Sequence, residues 1–74
     1  MNPIPEILAH LNTVPFRAFA IRTSDGRGFR VLHPDFLTIT ARGRILYEQD
    51  ETHTAFILPL HVVGVESLSE QAFT

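Results

Sequence analysis

Around Asp25-Gly26 the order of apolar and polar residues admits one strand register, and that register constrains the fold more than any other feature of the chain. Before the turn, Phe19 and Ile21 alternate with Ala20 and Arg22; after it, Phe29 and Val31 alternate with Arg30 and Leu32. Such period-two patterning belongs to strands, and Asp-Gly to a tight turn between them. A two-residue loop would set Ile21 opposite Arg30 and Arg22 opposite Phe29, mixing apolar and charged side chains on each face. A three-residue loop, Ser24-Asp25-Gly26 with Gly26 left-handed, instead pairs Ile21 with Phe29 and Phe19 with Val31. The second register is expected, with Ala20, Arg22, Arg30 and Leu32 on the outer face.

The same test organises the middle of the chain. His33-Pro34-Asp35 interrupts the ladder, because Pro34 has no amide hydrogen to donate, and Phe36 to Thr40 resumes it. A three-residue loop at Ala41-Arg42-Gly43 then pairs Ile39 with Ile45 and Leu37 with Tyr47, on a strand running from Arg44 to about Gln49. Asp50-Glu51-Thr52-His53 is polar enough for an exposed loop, residues 54–58 have the β-branched and aromatic content of a strand, and Pro59 ends it. Residues 62–68 form a last strand whose apolar residues occur at both parities, so its inward face is left open.

Ahead of these strands, Ile4, Ile7, Leu8 and Leu11 fall on one stripe of a helix spanning about residues 3–12. Asn2 can cap it, Pro3 and Pro5 suit its first turn, and Val14-Pro15 stops it. So short a helix is unstable alone and must pack on the strands. The expected fold is mostly β, a short N-terminal helix followed by a five- to six-stranded antiparallel, strongly bent sheet or small barrel. It forms one domain over residues 1–74, the barrel occupying about 16–68 and a frayed tail 69–74.

A core drawn from 74 residues is small, and no cysteine is present to staple it with a disulfide or a thiolate metal site. Self-association is the natural remaining source of buried area. With 45% hydrophobic residues, 19% charged residues and a formal net charge of -2, the chain is an ordinary globular domain and not a globally basic nucleic-acid binder. All six basic residues are Arg, which suits carboxylate or phosphate but also follows from codon bias in a GC-rich genome. The first residues lack the pattern of a signal peptide and no stretch reaches membrane-spanning length, so a cytoplasmic protein with no membrane partner is expected.

Catalytic machinery is not evident. His10, His33, His53 and His61 match no local metal-ligand spacing, Ser24 and Ser67 lack the glycine context of a nucleophile elbow, and Asp50-Glu51 sits in a solvated loop. Gly26 and Gly28 connect two strands rather than open a helix, so they make a turn and not a phosphate loop. Neither enzyme activity nor a metal or other cofactor is expected. Arg22 and Arg30, diagonal neighbours on the outer face, form with Arg17 and Arg27 either a basic strip for phosphate or an acidic partner, or a solvated surface that discourages edge aggregation. Asp35, beside His33 and Pro34, belongs to a binding loop or to a simple kink.

The order of helix, strand, Asp-Gly turn, bent strand, hairpin, strand, brief turn and closing strand resembles the Sm-like barrel, including its bacterial host-factor-Q branch. Phe56-Ile57-Leu58-Pro59-Leu60-His61-Val62-Val63-Gly64-Val65 is similar to the second Sm motif. For the first motif Asp35 is present, with Thr38 or Thr40 where the family has Asn; Leu60 stands where the second motif has a basic residue. The N-terminal half also resembles a group of short uncharacterised bacterial proteins. The Sm resemblance implies a homo-oligomeric ring in which the strand at Ala55 to Leu58 pairs with the last strand of a neighbour. It also implies RNA contacts, with His61 stacking and Arg22 and Arg30 meeting phosphates. Two functions are therefore expected: a non-enzymatic, self-associating β-barrel interaction module with itself or another protein as partner, or an Sm-like RNA-binding oligomer. The candidate contact residues are Arg22, Arg30, Asp35 and His61.

Overall fold

The computed structural model of the chain describes residues 2–68, so the expected frayed tail lies outside the described residues. Helix α1 (Ile4–Leu11) precedes six strands: β1 (Phe19–Thr23), β2 (Gly28–Val31), β3 (Leu37–Ile39), β4 (Ile45–Glu48), β5 (Thr54–Ile57) and β6 (Val62–Ser67). They form two three-stranded antiparallel sheets, ordered β2-β1-β6 and β3-β4-β5. The fold is thus mostly β with one short helix. None of the described helices is long and apolar enough to cross a membrane.

Both hairpin registers follow from the alternation. Phe19 pairs with Val31 and Ile21 with Phe29, while Leu37 pairs with Tyr47 and Ile39 with Ile45. In each loop a glycine takes a left-handed conformation that other residues adopt at a cost, Gly26 at φ 87° and Gly43 at φ 78°. The turn closes in the same way in both: Gly26 N–H donates to the Thr23 carbonyl at 3.0 Å, and Gly43 N–H to the Thr40 carbonyl at 2.9 Å.

Closure into one continuous barrel is not what the strands do, and two prolines explain the breaks. Pro34 and Pro59 each begin a 3-10 turn, Pro34–Phe36 and Pro59–His61, where the missing amide interrupts a ladder. Each turn redirects the chain from one sheet to the other. Residues 16–18 precede β1, and Phe16 packs edge-on against Phe19, ring centroids 6.2 Å apart.

The sheets face each other across a core of Phe19, Ile21 and Val31 from the first and Leu37, Ile45, Tyr47 and Ile57 from the second. Ile7 of α1 completes it and is fully buried, with Ile4 and Leu11 packed alongside. Leu8, on the edge of the expected stripe, remains partly exposed. Asn2 accepts the Ile4 amide through Oδ1 at 3.0 Å, satisfying one of the unpaired donors of the first turn. His10 does not face solvent freely, because its ring stacks on Phe19 at 4.8 Å and is half-buried. Burying a side chain the size of Ile7 or Ile45 contributes about 1.5–3 kcal/mol. A domain this small has roughly 4–11 kcal/mol in all, so each such residue is decisive.

Two residues of β6 turn inward. Its register against β1 shifts between Arg22, which pairs with Gly64, and Thr23, which pairs with Val62. Val63 is the extra residue of that bulge and stands exposed, so Val62 and Val65 both pack on the core despite their opposite parity.

Candidate interaction surface

Sheet order leaves β5 and β6 each at the end of its own sheet. Consecutive in the chain, they are joined by Leu58 and the turn Pro59–His61. Main-chain bonding in an antiparallel ladder alternates from one residue pair to the next. The Gln49 amide donates to the His53 carbonyl at 2.9 Å, so along the same ladder Tyr47 bonds Ala55 and Ile45 bonds Ile57. The amide and carbonyl groups of Thr54 and Phe56 therefore face away from β4. On β6, the Leu68 amide donates to the Ala18 carbonyl at 2.9 Å, which fixes Ala20–Glu66 and Arg22–Gly64 as the bonded pairs and turns the main chain of Val65 outward.

The same segment carries most of the exposed apolar surface. Of the seven large hydrophobic residues left exposed among the described residues, Phe56, Leu58, Leu60 and Val63 lie within eight positions of sequence. Phe56 is 67% exposed and Leu60 76%, values foreign to a face that packs within its own domain. Phe56 shares the outer face of its sheet with Leu46, its partner on β4, and with Thr38 beyond. On the other side, a groove of about 130 Å³ opens between Asn2, Pro3 and Glu6 of the α1 region and Val62 to Val65 of β6. An open edge with apolar side chains is a template for another strand.

The four candidate residues read from sequence are not brought into one site. Arg22 and Arg30 do share the outer face of the first sheet, in adjacent rows. Arg22, however, forms an ion pair with Glu66 at 2.9 Å, and Arg27 pairs through Nε with Asp25 at 2.8 Å, so half of the expected basic strip is neutralised. Both pairs are more than half exposed, which makes them orienting contacts of little energetic weight. Arg30 has no acidic partner among the described residues. Asp35 lies in the first 3-10 turn, where its amide donates to His33 Nδ1 at 3.3 Å and its carboxylate stays 89% exposed, the geometry of a capped kink. His61 is exposed in the second turn, and its carbonyl accepts the Ser24 amide at 2.8 Å, tying that turn to the β1–β2 loop.

Two carboxylates held away from their ordinary behaviour lie in the β4–β5 and β1–β2 loops. In the β4–β5 loop the Asp50 carboxylate accepts from the His53 ring, the Thr52 amide and hydroxyl, and the His53 amide, at 2.8 to 3.0 Å. These bonds, that from the His53 ring foremost, hold its carboxyl well below the usual carboxylate range. Asp25 is lowered too, first by the Thr23 hydroxyl that donates to it. Both serve their own turns. Among the described residues no group of three or more His, Asp or Glu side chains is placed to hold a metal ion.

Phe56 and Val63 are surface residues that sequence reasoning did not single out, and Leu60 entered it only as a departure from the second Sm motif. For Phe56 the signal is parity, since it alternates with Ile57, whose side chain is buried. Leu60 sits in a turn and Val63 in a bulge, where parity carries no information. No protein-family profile, curated protein or solved structure matches the chain.

Proposed function

We propose that this chain is a non-enzymatic interaction module that assembles with its own copies, the β5 edge of one subunit pairing with the β6 edge of the next. The observation that carries this reading is the coincidence, on one short segment, of two unpaired strand edges with Phe56, Leu58, Leu60 and Val63. A lone chain leaves both edges open, and pairing them between copies satisfies main-chain groups while covering apolar surface. Because the two edges differ, the contact is heterologous, and it closes a ring if the rotation between copies closes. The order of elements, with a bent β2–β3 passage and a 3-10 turn before the last strand, supports the Sm-like resemblance and the same mode of assembly.

Mixing copies labelled with 15N and with 13C tests this pairing. Isotope-filtered contacts between residues 54–57 of one copy and 62–67 of another are expected. Contacts confined to other surfaces would exclude it.

A second reading, Sm-like RNA binding, is favoured by Arg30, which lacks an acidic partner among the described residues, and by the exposed ring of His61. Arg22, held by Glu66, and the net charge of -2 weigh against it. Titration with a single-stranded RNA at two salt concentrations decides the matter, since a phosphate contact is strongest at low salt. Absence of binding there removes this reading.

A further inference from the structure

The two free strand edges differ in what flanks them. Beside β6 lies the groove bounded by Asn2, Pro3 and Glu6 and by Val62 to Val65, whereas β5 carries the exposed ring of Phe56. An antiparallel contact between copies continues the sense of every pairing within the chain. In such a ladder residues directly opposite each other share a face, and main-chain groups that point across must meet groups that point across. Those groups belong to Thr54 and Phe56 on β5 and to Val65 on β6. Phe56 therefore falls on the face of β6 that carries Val65. This is the side where Val62, Val65 and Ile4 of α1 pack against the core, and the groove lies between α1 and this strand.

One register seats the ring. With Phe56 opposite Val65, Leu58 comes opposite Val63, so two exposed apolar residues cover each other. A slip of two residues one way sets Leu58 opposite the exposed His61, and a slip the other way sets Phe56 opposite Ser67, beyond the groove. The groove holds about 130 Å³, close to the roughly 150 Å³ of a cavity that takes a benzene ring. Charge at the rim agrees with this register. Since Ile45 pairs with Ile57, Arg44 comes beside Leu58 and by alternation shares the face of Leu46 and Phe56. Arg44 on one copy and Glu6 on the groove of the next are both exposed, and neither has an ion partner among the described residues. Opposite charges so placed favour this seating over its alternatives.

We infer that Phe56 of one copy inserts into the α1–β6 groove of the next, opposite Val65, with Arg44 meeting Glu6 across the rim. This docking rests on the edge pairing proposed above and fixes its register. In strand addition the main-chain bonds supply affinity, and a pocket for a side chain supplies specificity.

Mixing 13C-labelled and unlabelled copies of the full chain tests the docking through filtered contacts from the Phe56 ring. Contacts to Pro3 and Val65 of the other copy are expected. Contacts to Arg22 or Glu66 of the other copy, on the opposite face, would overturn the docking and leave the edge pairing standing. Absence of any contact between residues 54–57 and 62–67 of different copies would overturn both. Charge reversal gives a second readout: Glu6→Arg and Arg44→Glu are each expected to weaken association roughly fivefold, and the double variant to recover it. Unchanged amide shifts of Ile7 and Ile45 show that each subunit keeps its fold. Single variants that associate like the natural chain, or a double variant as weak as the singles, would overturn the docking.

Discussion

The hydroxyl of Tyr47 donates to the carbonyl oxygen of Arg30 at 2.9 Å, joining the central strand of one sheet to the edge strand of the other. The rest of the Tyr47 side chain belongs to the core, where it meets Phe29 and Phe36 edge-on. One residue therefore supplies both packing and a polar tie between the sheets.

Removing only the hydroxyl, Tyr47→Phe, is expected to lower stability by about 1 kcal/mol, since the ring remains and one hydrogen bond is lost. Burial pushes the Tyr47 pKa above its ordinary 10.0, so folding opposes ionisation there. The tie is fully present below pH 10 and is lost as pH rises through the folded value. Urea midpoints of the natural chain should fall at alkaline pH, and the Tyr47→Phe midpoints should fall less.

Asp50 has the opposite sign. Its folded pKa lies below the ordinary 3.8, chiefly through the His53 ring, so its contribution is present above that value and disappears as pH falls through the folded one. Replacing it, Asp50→Asn, is expected to flatten the fall in urea midpoint between about pH 4 and about pH 2. A curve parallel to that of the natural chain would show that the loop does not depend on this carboxylate.

The glycines separate into two kinds. Gly26 and Gly43 have positive φ, and Gly26→Ala or Gly43→Ala is expected to destabilise by roughly 1–2 kcal/mol. Gly28 and Gly64 have ordinary backbone, and a Cβ at either meets nothing within 4 Å. Alanine at those two positions is expected to be neutral or to stabilise by about 0.4–1 kcal/mol through the unfolded chain. Thermal unfolding of the four variants, compared side by side, measures the contrast.

Why these elements were readable differs from one to the next. The hairpins at Gly26 and Gly43 were legible because strict alternation on both sides of a turn leaves one register that keeps apolar residues together. In β6 the same rule failed, since the bulge at Val63 reverses parity partway along the strand and lets Val62 and Val65 both face the core. His10 falls outside the apolar stripe of Ile4, Ile7, Leu8 and Leu11, so nothing in the periodicity announces that its ring stacks on Phe19. A strongly bent sheet or small barrel was expected because an antiparallel set of strands must manage its edges, an argument that does not say that Pro34 and Pro59 divide the strands between two sheets. The meeting of the two hairpins was not readable either. Arg27 and Phe29 come from one hairpin, and Tyr47, Gln49 and His53 from another, so only the tertiary fold sets them side by side.

Self-assembly through the β5 and β6 edges is tested most directly by the mass of the chain in solution, measured by sedimentation or light scattering beside the variant Phe56→Glu. Phe56 is exposed and opposite Leu46 on the outer face, so the substitution leaves the core of the subunit intact. A mass several times the 8.3 kDa of one chain is expected for the natural sequence, with a shift towards 8.3 kDa in the variant. A natural chain that stays at 8.3 kDa at millimolar concentration would contradict the assembly.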